Sequence, residues 1–345
     1  MITVFWNPPP DRTMPLPPSL HELAPTDLPN YRSSRFDGGG FGLELDAFGL
    51  PDRARLARVY AAAHEVGRTP LDSPPAALAA PLLALDADAL IRDASALGSD
   101  TDPAVTGERR VKQLLHDVRG GGLQVLVGAA QLLRLDPAAG FARNAVSAAR
   151  DHAKIMRAGF PALDPEVYAH DESVRVHAVD KLVTTWDGLS TRLGDRTIRV
   201  TVECEYHGAI TGRCLETAAI DRVMCNYVNN AMRFAADGRV SVWVFRVGPS
   251  LVRWAVRNAV TADDRAWLMR QNGGDLRVLF RGGTTHGGNG IGLSGCAEIV
   301  GECFGVDADA AVRGGYLGAR ADADGYTAWF HWPAHEPGKP CDCCD

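Results

Sequence analysis

Between residues 108 and 136 the stretch ERRVKQLLHDVRGGGLQVLVGAAQLLRLD carries apolar residues at Leu115, Val118, Leu126, Ala129 and Leu133. This three-or-four spacing, with one gap at the glycines, places a single apolar stripe along a helix. Asp136-Pro137 ends it, because the residue before proline avoids the helical region. A second helix is predicted over about 138–159, with Ala142, Val146, Ala149, Ala153 and Met156 at similar spacing. Two amphipathic helices joined by a short turn form a helical hairpin. Such a hairpin has too little core alone, so a four-helix bundle made by dimerisation is the expected completion.

From about residue 172 the period changes. SVRVHAV, TIRVTVECEY, RVSVWVFRV, LVRWAVRNAV and YTAWFHWPA alternate or are β-branched, and all read as strands. Helices are predicted between them over 179–192, 215–236 and 291–304. A hairpin is expected between 239–247 and 251–258, turned at Gly248-Pro249-Ser250. Strict alternation of strand and helix is absent, which disfavours a doubly wound nucleotide fold. Upstream, residues 1–50 are rich in Pro, Gly and Asp and predict irregular chain with one short strand. Two or three helices follow from 52 to 98, then a linker over 98–107.

Composition narrows the class. The 345 residues carry a net charge of −6 with 46% hydrophobic residues, an ordinary globular balance that suggests neither nucleic acid nor a membrane surface as partner. No apolar run approaches a membrane span, and the start lacks the pattern of a signal peptide, so a cytoplasmic protein is expected. Eight cysteines in such a chain read as free thiols. Three of them, Cys341, Cys343 and Cys344, cluster in the tail PCDCCD, where an accessible terminus is favoured over a soft-metal site.

Three motifs then stand in order. LLHDVRGGGL holds His116, Asp117 and Arg119; CNYVNNAMRF places Asn226 and Asn230 one helical turn apart; FRGGTTHGGNGIGL is a glycine run leading into a helix. Each alone is weak: a lone His, paired Asn residues and a glycine turn are commonplace. Their order and spacing together resemble the sensor histidine kinases of two-component signalling over roughly residues 108–335. LLHDVRGGGL resembles the phosphoacceptor box, CNYVNNAMRF the asparagine box, and FRGGTTHGGNGIGL the nucleotide lid with the second glycine box.

The resemblance implies an α+β chain. An N-terminal input region (1–102) is mostly helical or irregular. A dimerisation and histidine-phosphotransfer hairpin follows (103–163), then a Bergerat-type α/β-sandwich ATPase domain (164–336) and a Cys-rich tail (337–345). It implies a homodimeric protein-histidine kinase that phosphorylates His116 from Mg-ATP and passes the phosphoryl group to an Asp of a response-regulator receiver domain. Asp117 and Arg119 would assist at His116. Asn226, Asn230, Arg233, Asn258, Gly288, Gly290, Gly292 and Leu293 would bind nucleotide, with Asn230 the magnesium ligand. The family's first glycine box, an Asp followed by Gly-x-Gly, corresponds here to AVRNAVTADDR, with Asn258 at the adenine-reading Asp and no glycine nearby. Its proline after the phosphoacceptor His is replaced by Gly120-Gly121-Gly122. The degenerate box leaves an alternative open, a pseudokinase or phosphotransfer scaffold with little ATP binding. A thiol or metal sensor working through the tail is a further reading.

The chemistry suits these residue types. Phosphoryl transfer needs positioning and charge neutralisation more than covalent work by the protein. Magnesium takes hard oxygen ligands such as an Asn carbonyl, and backbone N–H groups entering a helix N-terminus face anionic oxygens. An acidic neighbour orients the imidazole proton and leaves the other ring nitrogen as nucleophile.

Overall fold

The computed structural model describes residues 3–6, 16–20, 22–23, 42–135, 142–171, 174–193, 196–248, 251–282, 292–323 and 325–335. The chain divides into two compact units. One comprises Met1–Trp6 with Gly40–Ser173, the other Asn7–Gly39 with Val174–Asp345.

Among its described residues the first unit is helical apart from a short strand, β1 (Thr3–Trp6). Its helices are α1 (Leu50–Gly67), α2 (Pro75–Leu83), α3 (Ala87–Ala96), α4 (Pro103–Gly107), α5 (Arg109–Arg119), α6 (Gly121–Leu135), α7 (Ala142–Gly159) and α8 (Pro165–Asp171). The helix expected over 108–136 is thus two, broken at Gly120, whose backbone is extended (φ −96°, ψ −164°). The expected linker at 98–107 contains a turn of helix, α4, capped by the Asp102 carboxylate accepting from the Ala104 N–H. α6 and α7 form the predicted hairpin, and its stripe is buried. Leu126, Ala129, Leu133, Val146, Ala149, Ala153 and Met156 share one core with Leu56, Val59 and Ala63 of α1, Leu78 and Leu82 of α2, and Leu90 and Ala94 of α3. The apolar cover that the sequence leaves to a second copy is supplied here within the chain. Small residues set the close approaches. A Cβ on Gly122 would lie 2.6 Å from the His152 Cβ and 2.8 Å from the Ala148 carbonyl oxygen, so only glycine lets α6 approach α7 there.

The second unit is mixed. Its strands are β2 (Val174–Ala178), β3 (Leu189–Leu193), β4 (Arg196–Cys204), β5 (Ala209–Arg213), β6 (Arg239–Val247), β7 (Leu251–Asn258), β8 (Leu317–Asp322) and β9 (Gly325–Pro333). The helices α9 (Val179–Val183), α10 (Cys214–Phe234), α11 (Ala262–Arg270), α12 (Gly292–Cys303) and α13 (Ala308–Arg313) lie between them. Six strands run in the order β3-β4-β6-β7-β9-β8. Every neighbour is antiparallel except β4 and β6, which α10 joins as the crossover. β2 and β5 form a separate pair. The predicted 239–247/251–258 hairpin is present, with Val240 opposite Asn258 and Val247 opposite Leu251.

One face of the sheet presents Val242, Val244, Trp254, Val256 and Phe330 to the core. α10 packs there, Tyr227 lying edge-on to Phe330 at 5.8 Å. The start of α10 is tied down by Glu216, whose buried carboxylate accepts from Thr211 Oγ1 and Trp332 Nε1. The opposite face holds Phe245, Arg253 and His331, also buried. Arg253 donates to His331 Nε2 (3.0 Å) and to the Leu20 carbonyl, while His331 Nδ1–H donates to the Tyr316 carbonyl (2.9 Å). The helix expected over 179–192 stops at Val183. Gly188, with φ +73°, turns the chain, and 189–193 becomes β3.

Candidate functional site

The candidate residues fall into two groups, one in each unit. His116 lies in the last turn of α5, about one-third exposed, with Nδ1 3.4 Å from Asp117 Oδ1. Asp117 is nearly covered and also accepts from Gln113 Nε2 at 3.2 Å. A carboxylate on Nδ1 favours the tautomer whose Nε2 lone pair is available. Arg119 is engaged by the end of α3, its guanidinium donating to the Ala94 carbonyl (3.1 Å) and to the Leu97 carbonyl. A cation on the last carbonyls of a helix stabilises them. In this conformation Arg119 is a structural tie between α5 and α3.

Beneath this turn lies His152 of α7, 1% exposed, with neither ring nitrogen hydrogen-bonded among the described residues. Burial pushes its pKa down to about 4, and the nearby Asp117 charge only partly opposes this. The ring is therefore neutral at physiological pH. The motif reading missed His152, although its position was available. It falls three after Ala149 and four before Met156, on the buried stripe of α7.

In the second unit Asn226 and Asn230 lie on α10, both half-buried. The Asn226 amide nitrogen donates to the Arg222 carbonyl at 2.8 Å, which turns its Oδ1 outward from the helix axis. That oxygen meets the first residue of α12: a Cβ on Gly292 would lie 2.4 Å from Asn226 Oδ1. The asparagine motif and the end of the glycine run, 66 positions apart, are thus in direct apposition at the N-terminus of α12. Leu293 is half-buried and packs against the core. Arg233, one turn beyond Asn230, is exposed, with its guanidinium 5.4 Å from the Phe234 ring centre. Gly288 and Gly290 lie outside the described residues.

Asn258 is the last residue of β7 and 3% exposed. Its side-chain nitrogen donates to the Ala259 carbonyl at 3.0 Å, but its Oδ1 has no hydrogen-bond partner among the described residues. A buried, unused carbonyl acceptor costs free energy unless something supplies a donor. Where a glycine box would follow, the chain enters α11 instead, capped by Thr261 Oγ1 accepting from the Asp264 N–H at 3.1 Å.

No family model and no curated protein matches the chain. Solved structures do. The mycobacterial sensor histidine kinase MprB is 18% identical over 40% of this chain and 83% of its own, with a TM-score of 0.29. Full-length ShkA in complex with AMPPNP is 17% identical over 69% of this chain, which spans 46% of ShkA, at a TM-score of 0.33. The histidine kinase AdeS of Acinetobacter baumannii is 10% identical over 69% of this chain and 96% of its own, at 0.26. All three are sensor histidine kinases, the family that the sequence motifs resemble.

Proposed function

We propose that the chain is a protein-histidine kinase of two-component signalling, which transfers the γ-phosphoryl group of ATP to His116 and from there to an aspartate of a receiver domain. The observation that carries this reading is the apposition of Asn226 and Gly292, which brings two distant motifs together at a helix N-terminus. The Oδ1 of Asn258, without a partner among the described residues, supports it, because a carbonyl acceptor complements the amino group of adenine. In this reading the second unit is a Bergerat-type ATPase domain, and Asn230 would supply an oxygen ligand to Mg²⁺. The ion would supply charge neutralisation to the phosphates there.

The chain's own groups then divide the work. Gly292 and the N–H groups that follow it face the phosphates, with the α12 dipole favouring their charge. Asn258 fixes the base. At His116 the Nε2 lone pair forms the N–P bond as the bond from phosphorus to the bridging oxygen breaks and ADP leaves. Asp117 holds the Nδ1 proton and offsets the positive charge that develops on the ring. A second copy, where one pairs, would use surface other than the hairpin stripe, which α1 to α3 already cover.

Calorimetry with a non-hydrolysable ATP analogue and Mg²⁺ tests the nucleotide site. The wild-type protein is expected to bind, and Gly292→Val, whose side chain would overlap Asn226 Oδ1, is expected to lose binding at least tenfold. Absence of wild-type binding at millimolar nucleotide would instead favour the phosphotransfer scaffold.

A further inference from the structure

A second chemically competent cluster lies in the second unit, at the turn between β4 and β5. Asp180 is the second residue of α9, Cys204 ends β4, and His207 follows three residues later in the spacing Cys-x-x-His. One donor atom from each lies within 4.8 Å of the other two. Asp180 and Cys204 are half-buried and His207 is exposed, so the cluster opens to solvent on one side.

The frame around these three residues is fixed by backbone contacts. The Val179 N–H donates to the Gly208 carbonyl at 3.1 Å, tying the residue before Asp180 to the residue after His207. The Glu205 N–H donates to the Val244 carbonyl at 2.8 Å, anchoring the residue after Cys204 to β6. Tyr206 folds back so that its hydroxyl donates to the Ala209 carbonyl at 2.9 Å. Gly208 permits this fold, since a Cβ there would lie 2.4 Å from the Tyr206 ring. Within the frame the Cys204 thiol donates to the Tyr206 carbonyl at 3.2 Å, and His207 Nδ1 sits 2.8 Å from Asp180 Oδ1.

We propose that Asp180, Cys204 and His207 form a binding site for a zinc-class divalent cation. The donor set is one thiolate, one imidazole nitrogen and one carboxylate oxygen, the mixture that zinc accepts in tetrahedral sites. With the imidazole neutral, the ligands carry two negative charges and neutralise a divalent ion completely. Zinc bonds of about 2.0–2.3 Å place neighbouring tetrahedral donors roughly 3.3–3.7 Å apart. The Asp180–His207 pair therefore opens slightly from 2.8 Å, and the other pairs, at most 4.8 Å apart, close by roughly 1.5 Å at most. As the metal–sulfur bond forms, the thiol proton leaves to solvent and the bond to the Tyr206 carbonyl is given up. Three protein ligands leave a fourth position for water. The bound ion clamps α9 to the β4–β5 turn. This site is independent of the kinase reading and of the cysteine tail.

The test uses the full chain with Cys341, Cys343 and Cys344 replaced by serine, so that the tail contributes no thiolate. Titration with cobalt(II), followed by displacement with zinc, is expected to show one equivalent bound. A thiolate-to-cobalt charge-transfer band in the near ultraviolet and the visible bands of a four-coordinate ion should accompany it. Cys204→Ser should abolish the charge-transfer band, while His207→Ala and Asp180→Asn should each weaken binding tenfold or more. His207 is exposed, so its variant folds whether or not the half-buried Cys204 variant does. An absence of binding at micromolar cobalt, a band retained in Cys204→Ser, or an affinity unmoved by His207→Ala would overturn the proposal.

Discussion

Replacing Asn258 with leucine should move stability and nucleotide affinity in opposite directions. The Asn258 side chain donates from its nitrogen to the Ala259 carbonyl and leaves Oδ1 buried without a partner among the described residues. Loss of that bond costs about 1 kcal/mol, while removal of an unsatisfied buried acceptor returns about 1–3 kcal/mol. Asn258→Leu is therefore expected to be neutral to about 2 kcal/mol more stable without nucleotide. In the complex the same change strands the adenine amino group, at about 1–3 kcal/mol, so the Kd for ATP should rise roughly 5- to 150-fold. Guanine presents a carbonyl in place of that amino group, so weak GTP binding should be nearly unchanged. The assays are calorimetric titration with ATP and GTP analogues and thermal melting of the free protein. Equal weakening of both nucleotides would refute the assignment of Oδ1 to the base. A loss of more than about 2 kcal/mol in the free protein would show instead that Oδ1 has a protein partner.

Other expectations follow from the first unit and the phosphate end of the site. Between pH 7 and 5 the wild-type protein should lose about 2 kcal/mol through His152 alone, because its folded pKa of about 4 lies below the ordinary 6.5. The unfolded state takes up the proton first, so stability is complete above 6.5 and declines as pH falls toward 4; His152→Leu should flatten that part of a pH-dependent melting curve, and an unchanged slope would contradict the neutral buried ring. Gly122→Ala forces a methyl against His152 and the Ala148 carbonyl, and should cost about 1–3 kcal/mol by denaturant titration despite better helix propensity. Gly120→Ala, whose backbone has negative φ but whose Cβ would press on the His116 carbonyl at 3.1 Å, should cost about 1 kcal/mol, less than Gly122→Ala. Gly292→Ala should weaken ATP-analogue binding while leaving the fold intact by circular dichroism, since only Asn226 must move.

How much of this was legible in the sequence depended on the range of the interactions concerned. α7, α10 and α12 emerged within a residue or a few of their expected limits because their apolar stripes are local and long. The β6–β7 hairpin emerged because both strands are rich in β-branched and aromatic residues. β3, β5 and β8 were not legible. β8, LGARAD, has little intrinsic strand preference and exists because Leu317 to Asp322 pair along β9. The cover of α1 to α3 on the hairpin was hidden for a similar reason: periodicity marks a buried face but does not name what buries it. Of the candidate site, the motifs assign Asn226 and Gly292 alike to nucleotide binding, and their apposition is a tertiary contact that the sequence does not specify. Arg119's hold on the α3 carbonyls and the burial of the Asn258 oxygen without a partner among the described residues are tertiary facts with no local signature.

Transfer to His116 is tested most directly by incubating the full chain with γ-labelled ATP and Mg²⁺, then splitting the sample into acid and alkaline treatment. A histidine kinase yields label that survives alkali, disappears in acid and is absent from His116→Gln. Label that persists unchanged and acid-stable in His116→Gln would contradict the assignment.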